Sequence, residues 1–235
     1  MPWGSPLQWA GRLKRAWLLY HLGDPRFRFM WDAPPPGEWV ALDCETTGLD
    51  IKRDDIIAIG AVRIRGQRIM TSERLELLVR PEKKRLTADS VRMHRLREQD
   101  LAQGLSVDEA MVQLLNFIGS RPLVGYYLEF DVAMINRALF PLLGMGLPQE
   151  KIEVSALYYA HKRSLLPAQT RDSTPIDLRF DSLMTDLDLP VWAAHDAVND
   201  AVMAGLAFLK LRQMQLSDPM RPKRPARSPS APAAP

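Results

Sequence analysis

The chain has 235 residues, of which 46% are hydrophobic and 25% are charged, and its formal net charge is +3. This profile is typical of a globular protein with one full core or two small domains. Its single cysteine, Cys44, excludes an internal disulfide, and no apolar run is long enough to cross a bilayer, so we expect a cytoplasmic protein with no membrane partner.

Charge and composition divide the chain into three predicted parts. Residues 1–37 form a basic and aromatic extension, with helical spacing near its start and a Pro-rich linker at its end. Its segment from Arg26 to Trp31 alternates basic and aromatic residues, which predicts either contacts with nucleic acid or docking on the main domain or a partner. Residues 38–216 are expected to form the main domain, and residues 217–235 a disordered tail rich in proline, alanine and arginine.

The main domain begins with an apolar run, Trp39 to Leu42, that predicts a buried strand. The strand ends in Asp43 and Glu45, which lie on one face because alternate strand residues point the same way. Two adjacent carboxylates repel each other and lose hydration, and a divalent cation such as Mg²⁺ or Mn²⁺ removes both penalties. The turn that follows, Thr46 to Gly48, offers hydroxyl and amide groups to a ligand.

Two further apolar runs, Ile56–Ile64 and Ile69–Val79, predict strands that complete a three-stranded meander. The next segment, Pro81–Arg97, is rich in lysine and arginine and contains His94. A charge run of this kind is ordinarily a solvated face, and we interpret it as one.

The helix that follows is predicted to begin at Ser106, because an acid three residues later completes a capping-box pattern. A short buried strand is predicted over Pro122–Tyr126 and a second helix over Glu129–Leu143. In that helix Asp131 shares the inward stripe with Ile135. Burying a carboxylate there is costly unless it is paired, hydrogen-bonded or close to a metal, and the alternative is an acid at an exposed helix start.

The remaining segments lead to a second acid on an apolar stripe. Residues Ile152–Ala160 predict a strand running into a helix or a helix throughout, residues 161–177 a loop, and Phe180–Leu187 a short helix. The last helix is predicted over Ala197–Met214. Asp200 lies on its inward stripe, at helical spacing from the apolar residues that follow.

His195 lies just upstream of this helix and is a candidate for the site. Its spacing of five from Asp200 does not put both side chains on one helix face, so His195 is expected at the helix entry, beside the acid. If Asp43, Glu45, Asp131 and Asp200 converge, they form a two-cation site that suits phosphodiester hydrolysis. A histidine beside them can take the proton from the attacking water.

Three motifs in the chain resemble those of the DEDD exonuclease superfamily in its histidine-bearing, DnaQ-like subgroup, called DEDDh. Residues 39–50 resemble the first motif, residues 125–131 the second, and residues 195–200 the third. The resemblance covers roughly residues 38–213. The subgroup includes the proofreading epsilon subunit of bacterial DNA polymerase III, RNase T and oligoribonuclease.

The resemblance implies an α/β, RNase H-like fold, in which a mixed five-stranded sheet has helices on both faces. It implies two Mg²⁺ or Mn²⁺ ions held by four acids, with His195 as general base. The implied activity is 3′→5′ exonuclease hydrolysis of single-stranded nucleic acid, with DNA favoured over RNA and nucleoside monophosphates released. Proofreading or DNA repair would use such an activity. The residues implied to hold substrate are Thr46, Thr47, Gly48, Leu49, Tyr126, Tyr127 and His94, and Leu49 or a neighbour would wedge against the terminal bases.

The sequence departs from the family pattern at two places. Tyr126 and Tyr127 replace the usual His-Asn of the second motif, and a tyrosine can stack on a base where asparagine would hydrogen-bond. Arg95 replaces a family glycine near His94. Two other readings stay open: a non-catalytic adaptor, and a proofreading subunit that needs a polymerase, either acting through residues 1–37 or the tail.

Overall fold

A computed structural model describes residues 13, 15–82, 96–171, 173–192 and 196–217. The strands are β1 (Glu38–Thr46), β2 (Ile56–Arg65), β3 (Arg68–Leu78), β4 (Leu123–Gly125) and β5 (Lys151–Glu153). The helices are α1 (Glu98–Ala102), α2 (Val107–Ile118), α3 (Leu128–Leu143), α4 (Val154–Leu165), α5 (Phe180–Asp186) and α6 (Ala197–Ser217), and a 3-10 helix spans Pro25–Trp31. None of the described helices combines the length and apolar character needed to cross a membrane.

The five strands form one mixed sheet in the order β3-β2-β1-β4-β5. The first three strands are antiparallel, as the predicted meander requires, whereas β4 and β5 run parallel to β1. The acidic strand β1 is therefore central, and its carboxyl end lies beside that of β4. The mixed five-stranded sheet expected from the sequence is confirmed.

Each face of the sheet carries its own apolar core. On one face, Leu42 and Cys44 of β1 pack with α2 and α3. On the other face, Ala41 packs with α4, α5 and α6. Because strand residues alternate between faces, Asp43 and Glu45 belong to the same face as Ala41, under α6.

Most predicted element boundaries hold within a few residues. Ser106 caps α2 and forms a capping box with Glu109, as expected. The segment from residue 151 is a short strand that runs directly into α4, which decides between the two alternatives. The loop predicted over residues 161–177 is wrong at its start, because α4 continues to Leu165. Lysine and arginine in that last turn favour the helix C-terminus, an effect that the polar composition concealed.

The described part of the N-terminal extension packs against the domain. Leu22, Phe27 and Met30 are buried in the core that contains α2 and α3. Docking thus accounts for Phe27, whereas Trp17 and Tyr20, at 61% and 85% exposure, remain at the surface of a helical stretch over residues 15–20. The predicted tail, apart from Ser217, lies outside the described residues.

Candidate active site

The candidate site begins where β1 ends. Asp43 and Glu45 project toward α6, and a register shift between Glu45 and Thr46 marks an irregularity at the strand end. Irregularities of this kind re-aim side chains next to functional sites. Glu45 is 9% exposed, so both carboxylates stand at the border between the core and the surface.

Helix α6 reaches this border because Gly60 lies beneath its first residue. Gly60 pairs with Asp43 across the sheet, and a Cβ at Gly60 would lie 2.1 Å from the backbone carbon of Ala197. The helix can sit this close only because no side chain intervenes. Asp200, in the first turn of α6, is thereby brought to the acids of β1.

The ligand oxygens of Asp43, Glu45 and Asp200 all lie within 4.8 Å of one another. Mg²⁺ binds oxygen at about 2.1 Å, so opposite ligands of one ion are about 4.2 Å apart. The spacing of the three acids is close to that value. One strand and one helix, far apart in the sequence, therefore supply three oxygens to one point.

Asp131 joins these acids from the first turn of α3, on the side of β1. Its side chain is 4% exposed, and burial raises the pKa of its carboxyl, an effect that the nearby backbone N–H groups of Cys44 and of Asp131 itself partly offset. Asp131 therefore lies close to the acidic strand. The charge of Asp131 reaches Asp43 and raises the pKa of that carboxyl.

The start of α3 is held by Glu153 at the end of β5. The N–H groups of Tyr127 and Leu128 donate to its two carboxylate oxygens at 2.9 and 2.8 Å, as expected for an acid at a helix N-terminus. Tyr127 adopts a left-handed backbone with φ of 51°, which is uncommon for a residue with a side chain. The two hydrogen bonds hold this strained entry in place.

Burial and mutual repulsion shift the acidity of the cluster. Burial, followed by the charges of Asp131 and Asp200, holds the pKa of Asp43 well above its usual range. Burial also raises the pKa of Glu45 to about 7 and that of Asp131 to about 8. Each carboxyl resists ionisation because its neighbours are acids in a poorly hydrated site.

A divalent cation fits this donor set. All four side chains offer oxygen only, which suits Mg²⁺ or Mn²⁺ rather than a softer metal. Within the described ranges, no lysine or arginine contributes to the pKa values of Asp43, Glu45 or Asp131. A buried cluster of like charges is stabilised by a bound cation.

In the turn after β1, some side chains are exposed to solvent and others are held by hydrogen bonds inside the turn. Leu49 is 84% exposed, and the Thr46 hydroxyl donates to the carbonyl of Gly48 at 2.8 Å. Thr47 is buried: its hydroxyl donates to Asp54 at 3.1 Å and accepts from the Asp55 N–H at 3.0 Å. The Thr47 N–H also donates to the Asp55 carbonyl at 2.9 Å, so Thr47 can offer a ligand little besides its backbone carbonyl.

Tyr126 and Tyr127 belong to an aromatic group at the start of α3. The Tyr126 ring lies 4.5 Å from the rings of both Tyr127 and Phe180, between centroids. The Tyr126 hydroxyl donates to the carbonyl of Leu178 at 2.6 Å, which fixes this ring, while Tyr127 is more than half exposed. The group presents one free aromatic face at the surface.

The structure brings Asp43, Glu45 and Asp200 together and places Asp131 close enough to act on Asp43. Two predicted histidines, His195 and His94, lie outside the described residues. The structure also reveals two residues that the sequence reasoning missed. Gly60 is one, and an isolated glycine in an apolar strand is a signal of close backbone approach. Asp196 is the other: it accepts the Asn199 N–H at 3.0 Å at the start of α6, and its charge raises the pKa of Asp43 and Glu45.

Comparison with known proteins places this site in a family. Residues 40–208 match the RNase T family of exonucleases. A PolC-type DNA polymerase III of Thermotoga maritima is 27% identical over 75% of this chain, and the match spans 12% of that protein. The DNA polymerase III epsilon subunit of Aquifex aeolicus is 29% identical over 48% of this chain and 54% of its own length.

A solved structure shows the same fold. Exonuclease I of E. coli, in complex with a dA16 oligonucleotide, superposes with a TM-score of 0.63 at 15% identity, over 76% of this chain and 41% of that protein. The chain therefore corresponds to a part of these longer proteins.

Proposed function

The chain belongs to the RNase T family of exonucleases, and from this premise we propose that it is a metal-dependent 3′→5′ exonuclease. It would act on single-stranded nucleic acid, DNA in preference to RNA, and release nucleoside monophosphates. The observation that carries the proposal is the meeting of Asp43, Glu45 and Asp200 within 4.8 Å, next to Asp131. Such a cluster is costly for a folded chain unless it holds cations.

The four acids would hold two Mg²⁺ or Mn²⁺ ions. When bound, the ions offset the charge of the phosphodiester and make water more acidic. His195 is proposed as the general base that takes the proton of the attacking water. The water oxygen bonds to phosphorus, and the bond from phosphorus to the 3′ oxygen of the preceding nucleotide breaks. That 3′ oxygen takes up a proton from solvent to become the new 3′ hydroxyl, and the terminal nucleotide is released as a 5′ monophosphate.

The substrate is proposed to enter beside the turn after β1. The backbone from Thr46 to Gly48 would hold the 3′-terminal nucleotide, and the exposed Leu49 would press against its base. The free face of Tyr127 suits stacking on a neighbouring base, an interaction that accepts any sequence. His94 remains a predicted substrate contact. Exonuclease I, which shares the fold, binds a single-stranded oligonucleotide.

The test uses 5′-labelled single-stranded DNA and RNA of one sequence, with Mg²⁺, Mn²⁺ or EDTA. We expect a ladder that shortens from the 3′ end, disappears in EDTA and is strongly slowed by His195→Ala. The faster ladder identifies the preferred polymer. If the folded protein shortens neither polymer with either metal, or if Asp43→Asn leaves the ladder unchanged, the proposal is wrong.

Binding to a protein partner is the second candidate role, and the exposed Trp17 and Tyr20 favour it. Relatives of this chain are DNA polymerase III proteins, so a polymerase is the proposed partner, bound through residues 1–37 or the tail. Deleting residues 1–37 would remove buried core residues, so the double substitution Trp17→Ala and Tyr20→Ala is the better test. It should abolish copurification with a polymerase and leave hydrolysis of short oligonucleotides intact. Loss of both, in a folded protein, would contradict this role.

A further inference from the structure

The turn between β1 and β2, residues 47–55, encloses two buried acids that the proposed chemistry does not use. Asp54 is 2% exposed and Asp55 is 8% exposed. The Asp54 carboxylate accepts the Thr47 hydroxyl at 3.1 Å and the Asp50 N–H at 2.9 Å. It lies directly against Gly48, where a Cβ would come within 2.5 Å of its oxygen. The shape of the turn around Gly48 therefore depends on where Asp54 is held.

Arg137 of α3 contacts this turn from outside. The Arg137 guanidinium donates to the backbone carbonyls of Ile51 and Asp54, and it lies 3.5 Å from the Asp55 carboxylate. These three contacts cover the second half of the turn. A guanidinium suits the role because its planar set of donors can bind two carbonyls and a carboxylate at once, whereas a lysine ammonium is a single point.

Arg137 belongs to the same helix as Asp131, six residues further on. Asp131 lies close to the end of β1, beside Asp43, and Arg137 binds the end of the turn. Helix α3 thus has a residue next to the chain on each side of the segment that contains Gly48 and Leu49. Any shift of this segment relative to the acids has to break the contacts of Arg137.

We propose that Arg137 is a positioning residue for substrate: it sets the turn at Gly48 and Leu49 relative to the acidic cluster, so that the 3′-terminal nucleotide is bound with its phosphodiester at the acids. This inference rests on the proposed function. Arg137 acts through the turn and is not expected to touch substrate or metal. Its effect should therefore fall on substrate binding much more than on the chemical step.

The experiment compares Arg137→Met and Arg137→Lys with Arg53→Met. Arg53 is the matched control, because it lies in the same turn, is 85% exposed and pairs only loosely with Asp50 at 3.7 Å. We expect Arg137→Met to raise KM for a single-stranded oligonucleotide about tenfold, while kcat and the Mn²⁺ concentration for half-maximal activity change less than twofold. Arg137→Lys should restore part of the loss, and Arg53→Met should match the parent protein. Amide hydrogen exchange at Thr47 and Asp50 should quicken in Arg137→Met, to a smaller extent in Arg137→Lys, and not in Arg53→Met.

Unchanged KM in a folded Arg137→Met protein, or a parallel fall of kcat in Arg137→Met and Arg137→Lys, overturns the inference while the parent remains an exonuclease. Should Arg137→Met fail to fold, the KM and exchange rates of Arg137→Lys decide in the same way. Failure of the proposed function looks different, because the parent protein itself then hydrolyses nothing. In that case equilibrium binding of the oligonucleotide to parent and variant decides, and equal or absent binding overturns the inference.

Discussion

Two pairs of acids lie close to each other in the chain but in opposite surroundings, one at the end of β1 and the other at the end of the turn between β1 and β2. Before the turn, Asp43 and Glu45 face other acids, and burial with mutual repulsion raises their pKa values. At the end of the turn, Asp54 and Asp55 are buried more deeply, yet hydroxyl, N–H and guanidinium groups donate to them or lie beside them. Asp43 and Glu45 lack cationic partners among the described residues, whereas Asp54 and Asp55 have hydrogen-bond donors and a guanidinium beside them.

The difference shows that burial alone does not mark a functional acid. Asp54 and Asp55 stabilise a turn because donors compensate the loss of hydration. Asp43 and Glu45 keep an electrostatic cost that nothing in the described residues relieves. A folded protein retains such a cost where a ligand repays it, which is how strained or repelling groups come to cluster at active sites.

The strongest test of this contrast is Asp43→Asn. We expect hydrolysis to fall by on the order of 10³, because charge stabilisation at the reacting phosphate is lost. Without metal, the same variant should unfold at a higher temperature than the parent at pH 8, because one of several repelling charges has gone. Oligonucleotide ladders and thermal unfolding in EDTA check both parts. A lower unfolding temperature would contradict the assignment of Asp43 as a repelled acid.

A second test moves one acid without changing its charge. Gly60→Ala places a Cβ against the backbone of Ala197, so α6 must shift and carry Asp200 away from Asp43. Displacements of about 1 Å at a reacting centre cost about 10² in rate. We expect a loss of that size, measured as kcat/KM. The matched control is Gly37→Ala, where no atom lies within 4 Å, although its φ of 71° makes that change mildly strained. Activity near the parent value in Gly60→Ala would show that the helix contact is not needed.

The partnered pair should respond in the opposite way from Asp43. Asp54→Ala leaves the buried Thr47 hydroxyl without its acceptor, which costs about 1–3 kcal/mol. The part-buried Asp50 N–H also loses its acceptor, at a smaller cost because water can replace it. Denaturant unfolding should show that destabilisation in the presence of EDTA. If Asp54→Ala instead stabilises the metal-free protein, as Asp43→Asn is expected to do, Asp54 is not stabilised by its donors and the contrast between the two pairs is wrong.

The smallest expected effect is a pH dependence of the metal-free protein. Folded-state pKa values of about 7 for Glu45 and about 8 for Asp131 lie above the unfolded values of about 4. The folded chain then holds protons that the unfolded chain releases, so stability falls as pH rises from about 4 to about 8. We expect the unfolding temperature in EDTA to drop over this range. Added Mn²⁺ should reverse the trend, because the cation binds the ionised acids. A flat profile in EDTA would contradict the raised pKa values.

Much of the fold was predictable because it is encoded locally. Alternating and apolar runs indicated the strands of the meander, and the capping box at Ser106 indicated the start of α2. The end of α4 was not predictable in this way, because its polar last turn reads like a loop. In the extension, spacing could not separate the buried Phe27 from the exposed Tyr20, since burial depends on what the segment packs against.

The sequence by itself determined which groups are candidates for the chemistry: the order and spacing of the motifs, and the acids Asp43, Glu45, Asp131 and Asp200 on strand ends and apolar stripes. Only the tertiary structure decided that the oxygens of Asp43, Glu45 and Asp200 meet, with Asp131 beside Asp43, because these distances depend on how α3 and α6 dock on the sheet. The contact at Gly60 permits the close approach of α6. The tertiary structure also decided which acids are partnered. Asp54 and Asp43 look alike along the chain, and what separates them is the set of donors that folding brings to one and withholds from the other.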